Sequence, residues 1–222
     1  MKQGVLYSGM GIRVVAALLI AIGLFFFPLS AGSLADQSGG VVEDSCGEEN
    51  VNGKKVLVAY DSKHGSTALV VRQIADVLCA CGYRVDISRA RKIDDVTPYD
   101  AVVAGSPIYW AKFLPGTQLF LKNHEQTLAT KPVALFALST YADEETGLVR
   151  DEVKGFFVDK ELEKVPGIAP VGEIGLFGGA FTLKTLFPVE VLSMTLENYS
   201  DRNYLNEAVV VSWAQNLCLL FE

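Results

Sequence analysis

Residues 61–67 read Asp-Ser-Lys-His-Gly-Ser-Thr and crowd three hydroxyls, one glycine and two basic side chains into seven positions. An unbroken apolar run, residues 56–60, comes before them, and an amphipathic run, residues 68–81, comes after. A loop of this type between a strand and a helix can gather donors on an anion. Gly65 permits close backbone approach, the hydroxyls of Ser62, Ser66 and Thr67 donate to phosphate oxygens, and the helix start offers unpaired N–H groups. The same residues also suit a plain strand-to-helix turn with Ser or Thr as N-cap, so the loop alone leaves both readings open. Two further stretches follow later apolar runs: Gly105-Ser106-Pro107-Ile108-Tyr109-Trp110 and Ser139-Thr140-Tyr141-Ala142. No acid–base pair stands out that would name a substrate. Cys46, Cys79, Cys81 and Cys218 form no Cys-x-x-Cys pair and flank no histidine cluster, which argues against zinc. Cys79 and Cys81 fall on different faces of a predicted helix and are expected to pack as small hydrophobes. In an oxidising compartment Cys46 would find a partner that the sequence does not identify.

These residues need elements to hold them. Runs at 56–60, 83–87, 100–105, 133–138 and 174–177 predict five strands, mostly buried on both faces. Helices are predicted at 66–80, with Leu69, Ile74, Val77 and Leu78 inward and Gly82 as stop, and at 113–128, with Pro115 in the first turn. Val149, Val153, Phe156 and Phe157 mark the apolar stripe of a solvated helix over 149–163. A last helix spans 206–221, with Trp213 as a core anchor. The stretch 181–196 is dense in apolar residues and broken by Pro188, which fits core packing or a dimer face. Alternating strands and helices predict an α/β domain with a parallel sheet.

The chain has 222 residues, half of them hydrophobic, enough for one core and an appendage. The appendage is residues 1–35. Lys2 and Arg13 lead into the uncharged residues 14–29, and Ser33-Leu34-Ala35 offers a small-x-small cleavage pattern. This is the layout of a secretory signal; the alternative is an uncleaved membrane anchor, since residues 14–35 are long enough to span a bilayer. The basic flank lies before the apolar stretch and acidic residues follow it, so either reading exports the rest of the chain from the cytoplasm. Residues 36–53 are polar and Gly-rich and read as a flexible linker, which starts the folded domain at 54–222. All 26 acidic residues lie beyond position 35 with 17 of the 19 basic ones, so residues 36–222 carry 17 − 26 = −9. That balance disfavours nucleic acid and suits a small-molecule site or a cationic protein partner.

The three loops, each at the end of a predicted strand, together with Leu176-Phe177-Gly178-Gly179-Ala180 and Ser212-Trp213-Ala214 in the closing helix, resemble the flavodoxin superfamily. More narrowly, they are similar to the flavodoxin-domain group that includes menaquinone-dependent protoporphyrinogen oxidase. The resemblance spans residues 54–222 and is weakest in the C-terminal third. It implies a flavodoxin-like five-stranded parallel sheet in the order 2-1-3-4-5, with helices on both faces and the ligand outside the carboxyl ends of strands 1 and 3. It further implies noncovalent FMN. Ser62, Lys63, His64, Gly65, Ser66 and Thr67 would wrap the phosphate. Ser106, Pro107, Ile108, Tyr109 and Trp110 would meet the isoalloxazine ring, with Tyr109 or Trp110 stacked on it. Thr140 and Tyr141 would form a third, weaker flavin loop. His64 departs from the family, where Thr is usual; it loses a hydroxyl and adds a positive donor at low pH. The implied function is an FMN-dependent oxidoreductase that is quinone-linked or acts on a porphyrinogen. The alternatives are a membrane-tethered electron carrier serving a redox protein, and a binding module that has lost its flavin.

Overall fold

The computed structural model describes residues 44–47, 53–139, 153–181 and 202–222. The chain divides into two units, Met1–Gln37 and Ser38–Glu222, and every described residue lies in the second. The expected leader, Val149, and residues 182–196 of the apolar stretch lie outside the described residues, as do Thr140 and Tyr141. Among the described residues no helix is long and apolar enough to cross a membrane.

In chain order the elements are β1 (Asp44–Cys46), β2 (Lys55–Tyr60), α1 (Ser66–Ala80), β3 (Arg84–Arg89), β4 (Ala101–Tyr109), β5 (Lys112–Phe113) and α2 (Pro115–Leu128). Then come β6 (Val133–Ser139), a π turn (Lys154–Val158) running into α3 (Asp159–Leu162), β7 (Gly175–Gly178), β8 (Ala180–Phe181), β9 (Arg202–Asn203) and α4 (Glu207–Leu220). The main sheet runs β1-β3-β2-β4-β6-β7, with β5 attached to β4. All neighbours from β3 to β7 in that order are parallel. The five expected strands therefore stand in the expected 2-1-3-4-5 order.

The period-two alternation of strands assigns the two faces. Val56, Val58 and Tyr60 of β2 point into one core, shared with α1 and α4, while Leu57 and Ala59 point into the other, beneath α2 and Val158. Each core is sealed by helices because a parallel sheet must be covered on both sides. Trp213 anchors the first core as expected. It meets Phe136 and Phe177 edge-on and donates its indole N–H to the Glu173 carbonyl at 2.8 Å. A buried tryptophan needs such a partner for its one donor.

Several expectations change. Asp44–Cys46, read as part of a tether, pairs antiparallel with β3 and adds an edge strand. Its polar sequence carries little strand signal; the pairing is supported by a Cys46–Cys79 disulfide to α1. A second disulfide joins Cys81 to Cys218 of α4. The cysteines expected merely to pack are thus cross-links. Cys79 and Cys81 do diverge, and each takes a different partner. Leu69 is 56% exposed, and Val70 and Val71 take the inward positions. Apolar residues at 68–71 occur on all sides of that turn, so the phase of the helix was ambiguous. Phe113 belongs to β5, with α2 starting after it at Pro115. Gly105 does not end β4, which runs on to Tyr109. A Cβ at Gly105 would stand 2.0 Å from the Phe136 ring, its partner on β6, so the glycine serves a close approach instead of a stop. The expected helix over 149–163 is described from Val153 and contains the π turn; of its expected stripe Val153 is buried and Phe157 half-buried, while Val158, outside that stripe, is buried as well.

Candidate functional site

β2 and β4 are hydrogen-bonded neighbours, in register Tyr60↔Gly105. The loops that follow them therefore leave the same edge of the sheet side by side. This is the position where chain direction diverges to the two faces, and where open α/β sheets take ligands.

The first loop is built by its own residues. The Gly65 N–H donates to Ser62 Oγ at 3.1 Å, closing a tight turn. Gly65 adopts φ 93°, a left-handed conformation suited to glycine, and nothing lies within 4 Å of where its Cβ would stand. It is the N-cap of α1, so the cap residue has no side chain with which to bond the first N–H groups of the helix. The Ala68 and Leu69 N–H groups bond back to the Gly65 carbonyl at 3.0 and 3.4 Å, which leaves those of Ser66 and Thr67 at the open end of the helix. Thr67 sits in this first turn, 1% exposed, and its Oγ1 has no hydrogen-bond partner. A buried hydroxyl without a partner costs about 1–3 kcal/mol. An anion at the helix start would supply the missing acceptor, so the residues present fit a phosphate group. Ser66 is half-buried beside Thr67.

The second loop is a hairpin. Ile108 pairs with Phe113 and Tyr109 with Lys112, leaving Trp110 and Ala111 as a two-residue turn. Both have positive φ, 52° and 61°, as this kind of hairpin turn requires. Neither is glycine or asparagine, so the turn is strained by roughly 1–2 kcal/mol per residue. Ser106 is fully buried; its hydroxyl accepts from the Leu114 N–H at 2.8 Å and donates to the Pro107 carbonyl at 2.9 Å. It braces the base of the hairpin. Pro107 pairs with Leu138 of β6, and Ile108 packs against the core under α2.

The loops meet through side chains. Lys63 Nζ lies 3.9 Å from the Tyr109 ring centroid, the His64 ring 6.4 Å from that of Tyr109, and Trp110 stands edge-on to Tyr109 at 6.1 Å. Trp110 itself is 83% exposed at the hairpin tip. Of the thirteen residues singled out in the sequence, eleven are thus on these two adjacent loops, and Thr140 and Tyr141 lie outside the described residues.

Three residues at the site were not among them. Thr117 is buried and donates to the Gly105 carbonyl at 3.3 Å, an oxygen that also accepts from the Asp61 N–H. Asp61 is buried at the end of β2. Burial pushes its carboxyl above the ordinary value, against the opposing pull of the Arg91 and Arg89 guanidinium groups and N–H donors from Gly116 and Ser62. The Asp61 carboxylate stands against Gly116 in the first turn of α2, where a Cβ would collide with it. Arg89 is 1% exposed and donates from Nη1 to the Ser62 carbonyl at 2.7 Å. The alternation Val85, Ile87, Arg89 was the available signal, since it puts the arginine on the apolar face of β3.

A doubly wound parallel sheet with a glycine- and hydroxyl-rich loop after its first parallel strand and an aromatic hairpin beside it is the arrangement of mononucleotide-binding α/β folds. The flavodoxin domain family matches residues 57–196, well over half of the chain, and the chain belongs to that family. Membership implies a flavin, typically FMN, as its ligand. A short-chain flavodoxin associated with a bacterial microcompartment is similar in structure, with a TM-score of 0.50 and 16% identity over 76% of this chain and 99% of that one. Oxidised flavodoxin 2 from Bacillus cereus gives a TM-score of 0.49 and 21% identity, covering 75% of this chain and 97% of its own. Rubredoxin oxygen:oxidoreductase from Desulfovibrio gigas gives 0.48 and 16%, covering 78% of this chain and 38% of that larger one. A comparison with curated proteins finds no match.

Proposed function

We propose that this domain is an FMN-dependent oxidoreductase that works outside the cytoplasm. The observation that carries the reading is the unpartnered, buried Thr67 hydroxyl in the open first turn of α1, with the Tyr109 hairpin alongside. Residues 62–67 would hold the phosphate, and Tyr109 and Trp110 would flank the flavin ring. FMN, when bound, supplies the electron chemistry; the chain sets its affinity, its surroundings and access to it. The strained hairpin holds Tyr109 at a fixed place, and the exposed Trp110 gives a partner a surface to reach.

The most concrete form of the activity is oxidation of a porphyrinogen, with a quinone as electron acceptor. The similarity of the loops to the protoporphyrinogen oxidase group supports it. Export is supported by the two disulfides, which persist in oxidising compartments, together with the leader pattern of residues 1–35. A second reading, an electron carrier anchored by its leader, is favoured by the −9 charge of residues 36–222, which suits a basic redox partner.

Full-length protein purified from its own membrane or extracellular fraction tests these together. It should be yellow, release FMN on acid treatment, and oxidise protoporphyrinogen when a menaquinone analogue is added. A flavin-loaded protein with no turnover on any quinone removes the oxidase form and leaves the carrier, which should then reduce a basic redox protein at a salt-sensitive rate. A colourless protein whose thermal stability does not rise with FMN sinks the flavin reading and supports a binding module.

A further inference from the structure

A guanidinium taken out of water is costly unless it is paired, so its partners indicate its purpose. Arg89 continues the buried series Val85, Ile87 along one face of β3, and it is among the largest fully buried side chains of the protein. Its contacts fall on three consecutive residues where β2 becomes the loop. The guanidinium lies 4.9 Å from the Tyr60 ring centroid, 3.8 Å from Asp61 Oδ1, and 2.7 Å from the Ser62 carbonyl to which it donates. Its Nε, also buried, has no partner.

The bond to Ser62 has a geometric consequence. The peptide bonds are trans and planar, so the Ser62 C=O and the Lys63 N–H point in opposite directions. Drawing the carbonyl inward to Arg89 aims the Lys63 N–H outward from the buried side of the loop. Released from Arg89, that peptide could turn its oxygen lone pairs toward an incoming anion. Charge acts in the same sense. Arg89 is buried with its Nη1 3.8 Å from Asp61 Oδ1, which sets a guanidinium beneath the loop.

We propose that Arg89 is the positioning residue that makes the loop prefer a phosphorylated flavin over its dephosphorylated form, by orienting the Ser62–Lys63 peptide and by supplying buried positive charge. This deepens the FMN reading and rests on it. The role concerns the phosphate end only, so it separates FMN from riboflavin, which presents the same ring.

The test is the dissociation constant of FMN and of riboflavin, read by quenching of flavin fluorescence, for full-length wild type, R89M and R89K. The wild type should prefer FMN. R89M should lose about ten- to a hundredfold in FMN affinity, the worth of a hydrogen bond to a charged group, with riboflavin held within about twofold. R89K should fall between, because an ammonium keeps the charge but lacks the planar fork. Equal weakening of both flavins in R89M means a general structural role and overturns the proposal, as does unchanged FMN affinity. Should R89M fail to fold, R89K decides: a fall of at least about threefold in the FMN-to-riboflavin preference is expected for loss of the fork, and an unchanged preference overturns the role. A wild type that binds both flavins equally defeats this proposal alone; one that binds neither defeats the FMN reading as well.

Discussion

The Lys63 ammonium lies 3.9 Å from the centroid of the Tyr109 ring and so joins the loop after β2 to the hairpin after β4. A cation over an aromatic face at a partly exposed site contributes about 0.5–1 kcal/mol. A double-mutant cycle with Lys63→Met and Tyr109→Leu, read by urea unfolding without flavin, should return a coupling energy of about that size. Additive effects would show that the two loops are not linked by this pair. With FMN, Tyr109→Leu should bind more weakly than wild type, because the ring loses an aromatic neighbour.

Thr67→Val should separate folding from binding. It removes a buried hydroxyl that has no partner while keeping the shape of the side chain. Unfolding of the flavin-free variant should show equal or greater stability, by up to about 1 kcal/mol. FMN affinity should fall about tenfold, and Thr67→Ser should recover most of it. A variant less stable without flavin and unchanged in affinity would mean that the hydroxyl serves the fold.

Much of the domain could be read from the sequence because its parallel strands are buried on both faces. A run such as residues 56–60 has few alternatives once glycine and hydroxyl residues follow it. The two loops were legible for the same reason, since each begins where an apolar run stops. Arg89 escaped because a buried arginine looks like a surface residue until the alternation of its strand is followed to the end. Asp61 escaped because its partners, Gly116 and the arginines, come from other elements. The β1 strand and both disulfides depend on long-range contacts, with sequence separations of 33 and 137 between the paired cysteines, which no local pattern encodes.

Those separations make the disulfides a stability prediction. Cross-linking limits the unfolded chain, more so for longer loops, and a native bridge is worth about 2–5 kcal/mol. Cys81–Cys218 spans 137 residues and ties α4 to the end of α1, the two helices that cover one core. Cys46–Cys79 spans 33 and ties only the edge strand. Replacing Cys81 and Cys218 by alanine should lower urea stability more than the same change at Cys46 and Cys79. The reverse order would show that β1 matters more to the domain than its edge position suggests.

Asp61 predicts a pH dependence. Its carboxyl is raised above the ordinary 3.8, by burial first, with Arg91 and Arg89 opposing. A raised carboxyl binds its proton more tightly in the folded state than in the unfolded one. Its favourable contribution is therefore fully present below the ordinary aspartate value and is lost as pH rises through the folded value. Thermal unfolding of wild type and Asp61→Asn across that window should show the wild type gaining relative to the variant as pH falls. A difference that is flat with pH would mean that the arginines cancel burial, and one that shrinks on acidification that they outweigh it.

The hairpin tip offers the last test. Ala111 adopts φ 61° next to Trp110 at 52°, and a Cβ in that region costs roughly 1–2 kcal/mol. Glycine would remove the strain but enlarge the freedom of the unfolded chain, which returns roughly 0.5–1 kcal/mol of the gain. Ala111→Gly should therefore raise flavin-free stability by about 0.5–1 kcal/mol in urea. Strain kept at such a turn has a use if it fixes the ring-facing residue, and Tyr109 is hydrogen-bonded into the same hairpin opposite Lys112. A freer turn should let Tyr109 and Trp110 wander, so FMN should leave the variant faster in a stopped-flow dissociation experiment. Greater stability with an unchanged off-rate would show that the strain is not used by the flavin site. Lower stability would show that Ala111 makes contacts worth more than its backbone costs.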